Sequence, residues 1–517
     1  MSRAIFKSAS VVGLTTVLSR VTGLLRDMVY SQTFGAGTLM DAFLVAFKIP
    51  NFLRRLFAEG AFSQSFVPVI SEYKARRETA EVRGLVADVA GTLGGVLFVV
   101  TVIGVIAAPL IILLFAPGFT QQAGKYELAV DMLRWTFPYL FFISLTALFS
   151  GVLNSYGRFA LPAFTQVVMN LVMIFFALAI AAHAENPGVA LAIGVFVAGL
   201  AQVLIQVPAV ARLGLLARPR WAPAAEGVRR IGRLMLPGIF GSSMAQVSLL
   251  LDTLIASFLI TGSIAWLYYA DRLMEFALGV FSIALATVIL PRLSLQHANG
   301  DSEKFSATLD GALRWVTIIV VPAALGLLLL AGPITATVFG YGAFSDNDVL
   351  MTQYGLMAYS WGLIGFSLVK VLAPGYFARQ DTRTPVRVGL IALAVNMSIN
   401  VAVVLPAHYA GFATPFVLLA TSTCLSGAVN ASLLWRGLRR EGIYKPRAGW
   451  PGLLLRVTVA NVVMAAVLLL LVEGTASWLQ WSALERATEL TLAIALGVSA
   501  YAATLWLTGL RPAALRI

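Results

Sequence analysis

Six charged side chains, Arg20, Arg26, Asp41, Lys48, Arg54 and Glu59, stand in two N-terminal stretches that otherwise read as membrane helices. A second group, Asp271 and Arg272 with Glu275, interrupts a similar stretch much further along the chain. An ionised side chain at the bilayer centre costs about 2.5–3.5 kcal/mol on insertion scales, so several persist only with partners, water or a task. Most of these are cationic, which points to an anionic cargo. Arginine suits such a cargo because its planar fork grips phosphate oxygens in pairs and stays charged when partly desolvated. A cavity with several arginines and few acids would concentrate a diphosphate.

The spacing adds detail. Arg20 and Arg26 can line one broad polar sector of a helix, and Asp41, Lys48 and Arg55 recur at every seventh position on one stripe. Asp41 and Glu59 would hold the cationic groups while the cavity is empty, or gate its mouth. Snorkelling or structural ion pairing is the competing reading, strongest for Arg55 and Glu59 near a helix end. Lys370 is an isolated cation before Ala373-Pro374-Gly375, where the Pro-Gly pair predicts a bend or break that could act as a hinge. Asp252, Asn396 and Asn400 could offer oxygen ligands to a small cation, although interhelical hydrogen bonding would equally account for the asparagines.

The elements that must position these groups follow from composition. Of 517 residues, 59% are hydrophobic and 12% charged, against about 25% charged in a soluble domain. The chain is therefore an integral membrane protein. The net charge of +13 is read as basic loops on one side of a membrane, not as a nucleic-acid surface. The single cysteine, Cys424, excludes an intramolecular disulfide. No small-residue cleavage site follows the first apolar stretch, so the first helix is expected to stay.

A spanning helix needs about 20 mostly apolar residues. That window predicts fourteen segments, near 8–33, 39–59, 86–115, 130–154, 161–183, 188–211, 233–260, 266–290, 314–340, 352–377, 386–407, 411–436, 450–472 and 486–509. With both termini in the cytoplasm, the alternate loops collect the arginines and lysines, and the outer loops keep only Lys125 and Arg486.

The chain also repeats itself. Pro68 and Pro291, Ser144 and Ser367, and Pro162 and Pro385 all stand 223 residues apart. The shift carries six helices onto the next six in the same orientation, so the copies are parallel repeats about an axis along the membrane normal. The expected fold is all-α: two six-helix bundles (1–220 and 221–445) plus two additional helices (446–517). By the same offset Asp271 is the equivalent of Lys48, so the two charge clusters are expected to face each other across a transporter-like cavity. No catalytic constellation competes. His183, His297 and His408 lie far apart, there is no Walker A sequence, and Gly35-Ala36-Gly37 lacks the strand a nucleotide fingerprint needs.

Several runs resemble the MurJ (MviN) family of the MOP exporter superfamily. They are Ser19 to Asp27, Phe34 to Gly37 with Asp41-Ala42-Phe43, Lys48 to Phe62, Tyr268 to Phe276, and Lys370 to Gly375. The resemblance covers essentially the whole chain. It implies a flippase of the bacterial inner membrane that moves lipid II, an undecaprenyl-diphosphate-linked disaccharide-pentapeptide, from the cytoplasmic to the outer leaflet by alternating access. It implies substrate contacts at Arg20, Arg26, Arg54 and Arg272 with acidic partners Asp41 and Glu59, and with Ser19 and Asn51 beside them. Asp271, Glu275 and Lys370 take gating or supporting roles, and Lys48 and Arg55 structural ones. The last two helices would form a groove for the lipid tail. Some members bind sodium through an aspartate that Asp252 matches, while Asn400 stands where a second acid can occur. No cofactor is expected, and a coupling cation (sodium or a proton) or the membrane potential would reset the cycle. A monomer is expected, with membrane lipids and other cell-wall synthesis proteins as its surroundings and no nucleic acid. The alternatives are a flippase for another polyprenyl-diphosphate oligosaccharide, a membrane glycosyltransferase acting on such a lipid, and a multidrug or cation antiporter. The short outer loops disfavour the glycosyltransferase, and the basic cavity disfavours the antiporter.

Overall fold

The computed structural model describes residues 3–55 and 62–510, with side chains throughout except at 3–12, 236–246 and 280–288. Among the described residues every regular element is a helix: α1 (Arg3–Phe34), α2 (Thr38–Arg54), α3 (Ser63–Arg76), α4 (Thr79–Ile106), α5 (Ala108–Phe115), α6 (Lys125–Thr136), α7 (Tyr139–Ser155), α8 (Ala160–Phe175), α9 (Pro187–Ala211) and α10 (Glu226–Ser257). There follow α11 (Ser263–Ala298), α12 (Ser302–Leu329), α13 (Ala331–Phe339), α14 (Asp346–Phe377), α15 (Arg383–Ile399), α16 (Leu405–Tyr409), α17 (Pro415–Arg440), α18 (Trp450–Leu471), α19 (Thr475–Gln480) and α20 (Ala483–Leu507). The protein is an all-α polytopic membrane protein.

Ten helical stretches of described residues are long and apolar enough to cross a membrane. The described residues of the other four expected segments are also helical, in α1, α2, α10 and α11, except at 258–260. Among the described residues, these four helices carry the charged candidates other than Lys370 on α14 and Arg55, which follows α2.

Local chemistry sets the helix ends. Ser345 caps α14 and Ser482 caps α20, each in a reciprocal box with the acid three residues on, Asp348 and Glu485. Asn186 caps α9 ahead of Pro187. Several expected single spans are in fact two helices in series. The 86–115 segment breaks at Ala107 before Pro109, and the 314–340 segment breaks at Leu330, both with ψ near zero. These breaks stand 223 residues apart, the offset read from the sequence. Widened π turns at Phe176–Ile180 and Asn400–Val404 recur at nearly the same interval. The expected break at Pro374-Gly375 does not occur: α14 runs through it to Phe377. A proline in the last turn forfeits only one intrahelical bond there.

The described chain packs as two compact units, Met1–Ile264 and Ala265–Ile517. In the first, Phe66, Val69, Ile70, Val86, Leu148, Val152 and Val210 form a core among α3, α4, α7 and α9. By packing, α10 belongs to this unit. In the second, Val457, Ala460, Met464 and Leu468 of α18 and Ala493, Tyr501 and Leu505 of α20 pack on Ile318 of α12. The Tyr501 hydroxyl donates to the Ile318 carbonyl at 2.7 Å.

Two charged pins fix this C-terminal pair. Asp310, fully buried about two turns into α12, accepts from Arg314 at 2.8 Å, Tyr444 at 2.9 Å and the Trp450 indole at 2.8 Å. Arg486 is buried at the other end. Its guanidinium donates to the carbonyls of Trp481, Ala336, Gly340 and Leu479 at 2.8–3.0 Å and lies over the Tyr341 ring.

Candidate functional site

In α1, Arg26 is buried and held on several sides. Its Nε and one terminal nitrogen donate to Asp27 Oδ1 at 3.1 and 2.7 Å, and the other donates to Asn170 Oδ1 of α8 at 3.2 Å. Asn170 in turn donates to the Ser19 carbonyl and the Thr22 hydroxyl. The sequence singled out Ser19 and Arg26 and missed Asn170, because nothing in a lone asparagine announces which helix it will face. Arg20, one turn or so earlier, is half-buried. Asp27 is fully buried, so the Arg26 charge is matched inside its own helix.

At the far end of α2, Arg54 is buried and donates to Asn51 Oδ1 at 3.1 Å, while Asn51 donates back to the Phe47 carbonyl at 3.0 Å. These two expected substrate contacts thus form one unit. Glu59 lies outside the described residues. Lys48, midway along α2, donates to Thr253 of α10 at 2.6 Å, which gives its structural reading a partner.

Asp41 has a lysine partner. Buried at the start of α2, it accepts through one oxygen from Lys125 Nζ and from the Gly262 backbone N–H, both at 2.8 Å. Lys125 opens α6 after Gly124, whose φ of +73° is a conformation glycine adopts without strain. The ammonium also donates to Gln122 and lies over the Phe119 ring at 4.5 Å. One signal could have found this pair. Lys125 and Arg486 were the two basic residues on the side the loop charges leave nearly empty, and both prove to be buried and bonded.

In the second unit, Arg272 and Glu275 of α11 approach to 3.9 Å with Glu275 half-exposed, a loose pair. Asp271 precedes them, and Lys370 lies on α14. Asn396 and Asn400 are both fully buried, and their amide oxygens converge on the Ser422 hydroxyl of α17, which also points at the Leu419 carbonyl. One hydroxyl hydrogen cannot serve three acceptors. An oxygen-only convergence of this kind has the donor chemistry of a hard, small cation, so the residues present fit such an ion. Ser422 is the member that the sequence reading missed. Asp252 lies on α10, in the first unit. Among the described residues no three His, Cys, Asp or Glu side chains cluster as a transition-metal site would require.

A family model described as lipid II flippase MurJ matches residues 30–488. The chain belongs to the MurJ family. A probable lipid II flippase MurJ of Vibrio cholerae serotype O1 is 46% identical over 99% of this chain and 97% of its own length. A lipid II flippase MurJ of Burkholderia cenocepacia is 40% identical, over 99% of each chain. Among solved structures, a lipid II flippase MurJ in an inward closed conformation aligns with a TM-score of 0.78 at 24% identity, over 95% of this chain and 97% of that one. A multidrug resistance MATE family transporter of the MOP superfamily, inward-facing, aligns at 0.65 and 14% identity over 82% of this chain and 95% of that one. These two likenesses carry the fold. MurJ family membership makes the chain a transporter and not an enzyme.

Proposed function

We propose that this chain is a lipid II flippase of the bacterial inner membrane, with both termini in the cytoplasm. The observation that carries this is its near full-length match to MurJ relatives named for that activity. The chemistry of its own residues supports the same cargo. Arg20, Arg26 and Arg54 of the first unit lie in helices flanked by apolar residues and are suited to supply cationic contacts to a diphosphate; Arg272, in the second unit, is a further candidate of the same chemistry. The fixed Arg26 and Arg54 guanidinia lose little side-chain freedom on binding, so they are preorganised for it.

In this reading the headgroup enters from the cytoplasm while the polyprenyl tail stays in the bilayer, along the surface built by α18 and α20. Alternating exposure of the site then delivers the headgroup outward. A coupling cation would be held in the second unit by Asn396 and Asn400, joined by Ser422. When bound, it would supply positive charge that biases one conformation.

The test is depletion of the protein in its parent bacterium, with lipid II measured in the two leaflets. Accumulation on the cytoplasmic face is expected. Accumulation on the outer face would refute the reading. Unchanged lipid II with another polyprenyl-diphosphate glycan trapped inside would move the assignment to that substrate.

A further inference from the structure

At the end of the first unit that the loop charges assign to the outside, the α10–α11 turn is fastened to its neighbours at a series of adjacent points. Asp41 Oδ2 takes both the Lys125 ammonium and the Gly262 N–H. Gln122 Oε1 takes the same ammonium at 2.8 Å and the Thr261 hydroxyl at 2.7 Å, and its amide reaches the Leu259 carbonyl. One turn back, the Gly118 N–H donates to the Ser257 hydroxyl at 3.1 Å. Gly118 is packed so closely there that a Cβ would stand 2.3 Å from the Ser257 carbonyl oxygen. Lys125, Asp41 and Ser257 are all at most 1% exposed.

This is a costly way to hold a turn. A buried ion pair contributes little net stability, whereas breaking one partner away is strongly unfavourable. Such a pair makes a contact that is either fully made or fully broken, which is what a two-state element needs. At this end α10 and the turn after it are tied to the rest of the first unit through these contacts. We propose that Lys125, with Asp41 and Gln122, is the latch of the outer gate: it clamps the 257–262 segment over the outer end of α2 and the 117–122 turn, and it must release for the site to open outward. The inference rests on the alternating-access reading given above. It also gives Asp41 a task distinct from substrate contact, since its carboxylate is committed to Lys125 and Gly262 while the latch is closed. Closure requires glycine at 118, because any side chain there pushes Ser257 away.

The experiment uses the full chain with Cys424→Ala and a reporter, Ser257→Cys, labelled from outside intact cells with a membrane-impermeant maleimide. Lys125→Met and, independently, Gly118→Ala are expected to raise the labelling rate about tenfold, as for a closed-to-open equilibrium moved by one decade. Where Lys125→Met does not fold, Asp41→Leu/Lys125→Met leaves no lone buried charge and should show the same rise. In a second arm, Gln122→Cys with Thr261→Cys is bridged by a short bifunctional methanethiosulfonate. Flipping should stop, and should return on reduction. Unchanged labelling in variants that melt with the reporter background overturns the latch and leaves the flippase reading standing. Flipping that continues in the bridged protein also overturns it. Absence of lipid II flipping by the unmodified chain overturns the flippase reading instead, whatever the labelling shows.

Discussion

Arg26 shows how a residue can be both a binding candidate and a structural necessity. Asp27 is fully buried and takes two bonds from its guanidinium, so Arg26→Ala strips a buried carboxylate of its nearest cation. Losing one member of such a pair costs about 3–5 kcal/mol. The single variant should therefore be both destabilised and inactive. Arg26→Ala/Asp27→Asn separates the effects: thermal stability should largely return while lipid II flipping stays absent. Recovery of flipping in the double variant would show that Arg26 only neutralises Asp27. Asn170→Leu should weaken transport in the same direction by freeing the Arg26 fork, with substrate affinity falling more than folding stability. Equal affinity in Asn170→Leu and the unmodified chain would rule out that positioning role. Arg26 was legible in the sequence because a charge in an apolar run is a local anomaly. Asn170 and Ser422 were not, because a polar side chain in a membrane helix gains its meaning only from the helix it meets.

Among the elements, the C-terminal pair depends on pins at both ends. Arg486 is buried and has four carbonyl acceptors, two at the end of α13 and two around α19. The carboxyl end of a helix carries partial negative charge, which suits a guanidinium without a carboxylate partner. Arg486→Met should lower stability by about 3 kcal/mol, since buried carbonyls lose their donors. Arg486→Lys should recover little of it, because a point ammonium cannot span four acceptors laid out for a fork. Thermal unfolding in detergent checks both, and unchanged melting of both variants would remove the pin. The helix breaks at Ala107 and Leu330 follow the repeat offset, yet they escaped the hydropathy window. Hydropathy averages over a span and does not register a change of direction within it.

For the whole molecule, the convergence of Asn396, Asn400 and Ser422 leads to a test of energy coupling. If these oxygens hold a coupling sodium ion, flipping by the reconstituted protein should be faster in sodium than in choline. Asn400→Ala should flip at one rate in both. Equal rates for the unmodified chain in the two salts would exclude sodium at this site. The chain by itself determined the membrane class, the succession of helical segments, the parallel repeat and the positions of the intramembrane charges. All of these are written in hydropathy and in a constant offset, which survive without knowledge of packing. Only the tertiary structure decided which charges meet. Asp41 finds Lys125 across 84 positions, Lys48 finds Thr253 across 205, and Arg486 finds carbonyls where an acid would be sought. Pairing between helices depends on how each is rotated and stacked, and spacing along one helix carries no record of that.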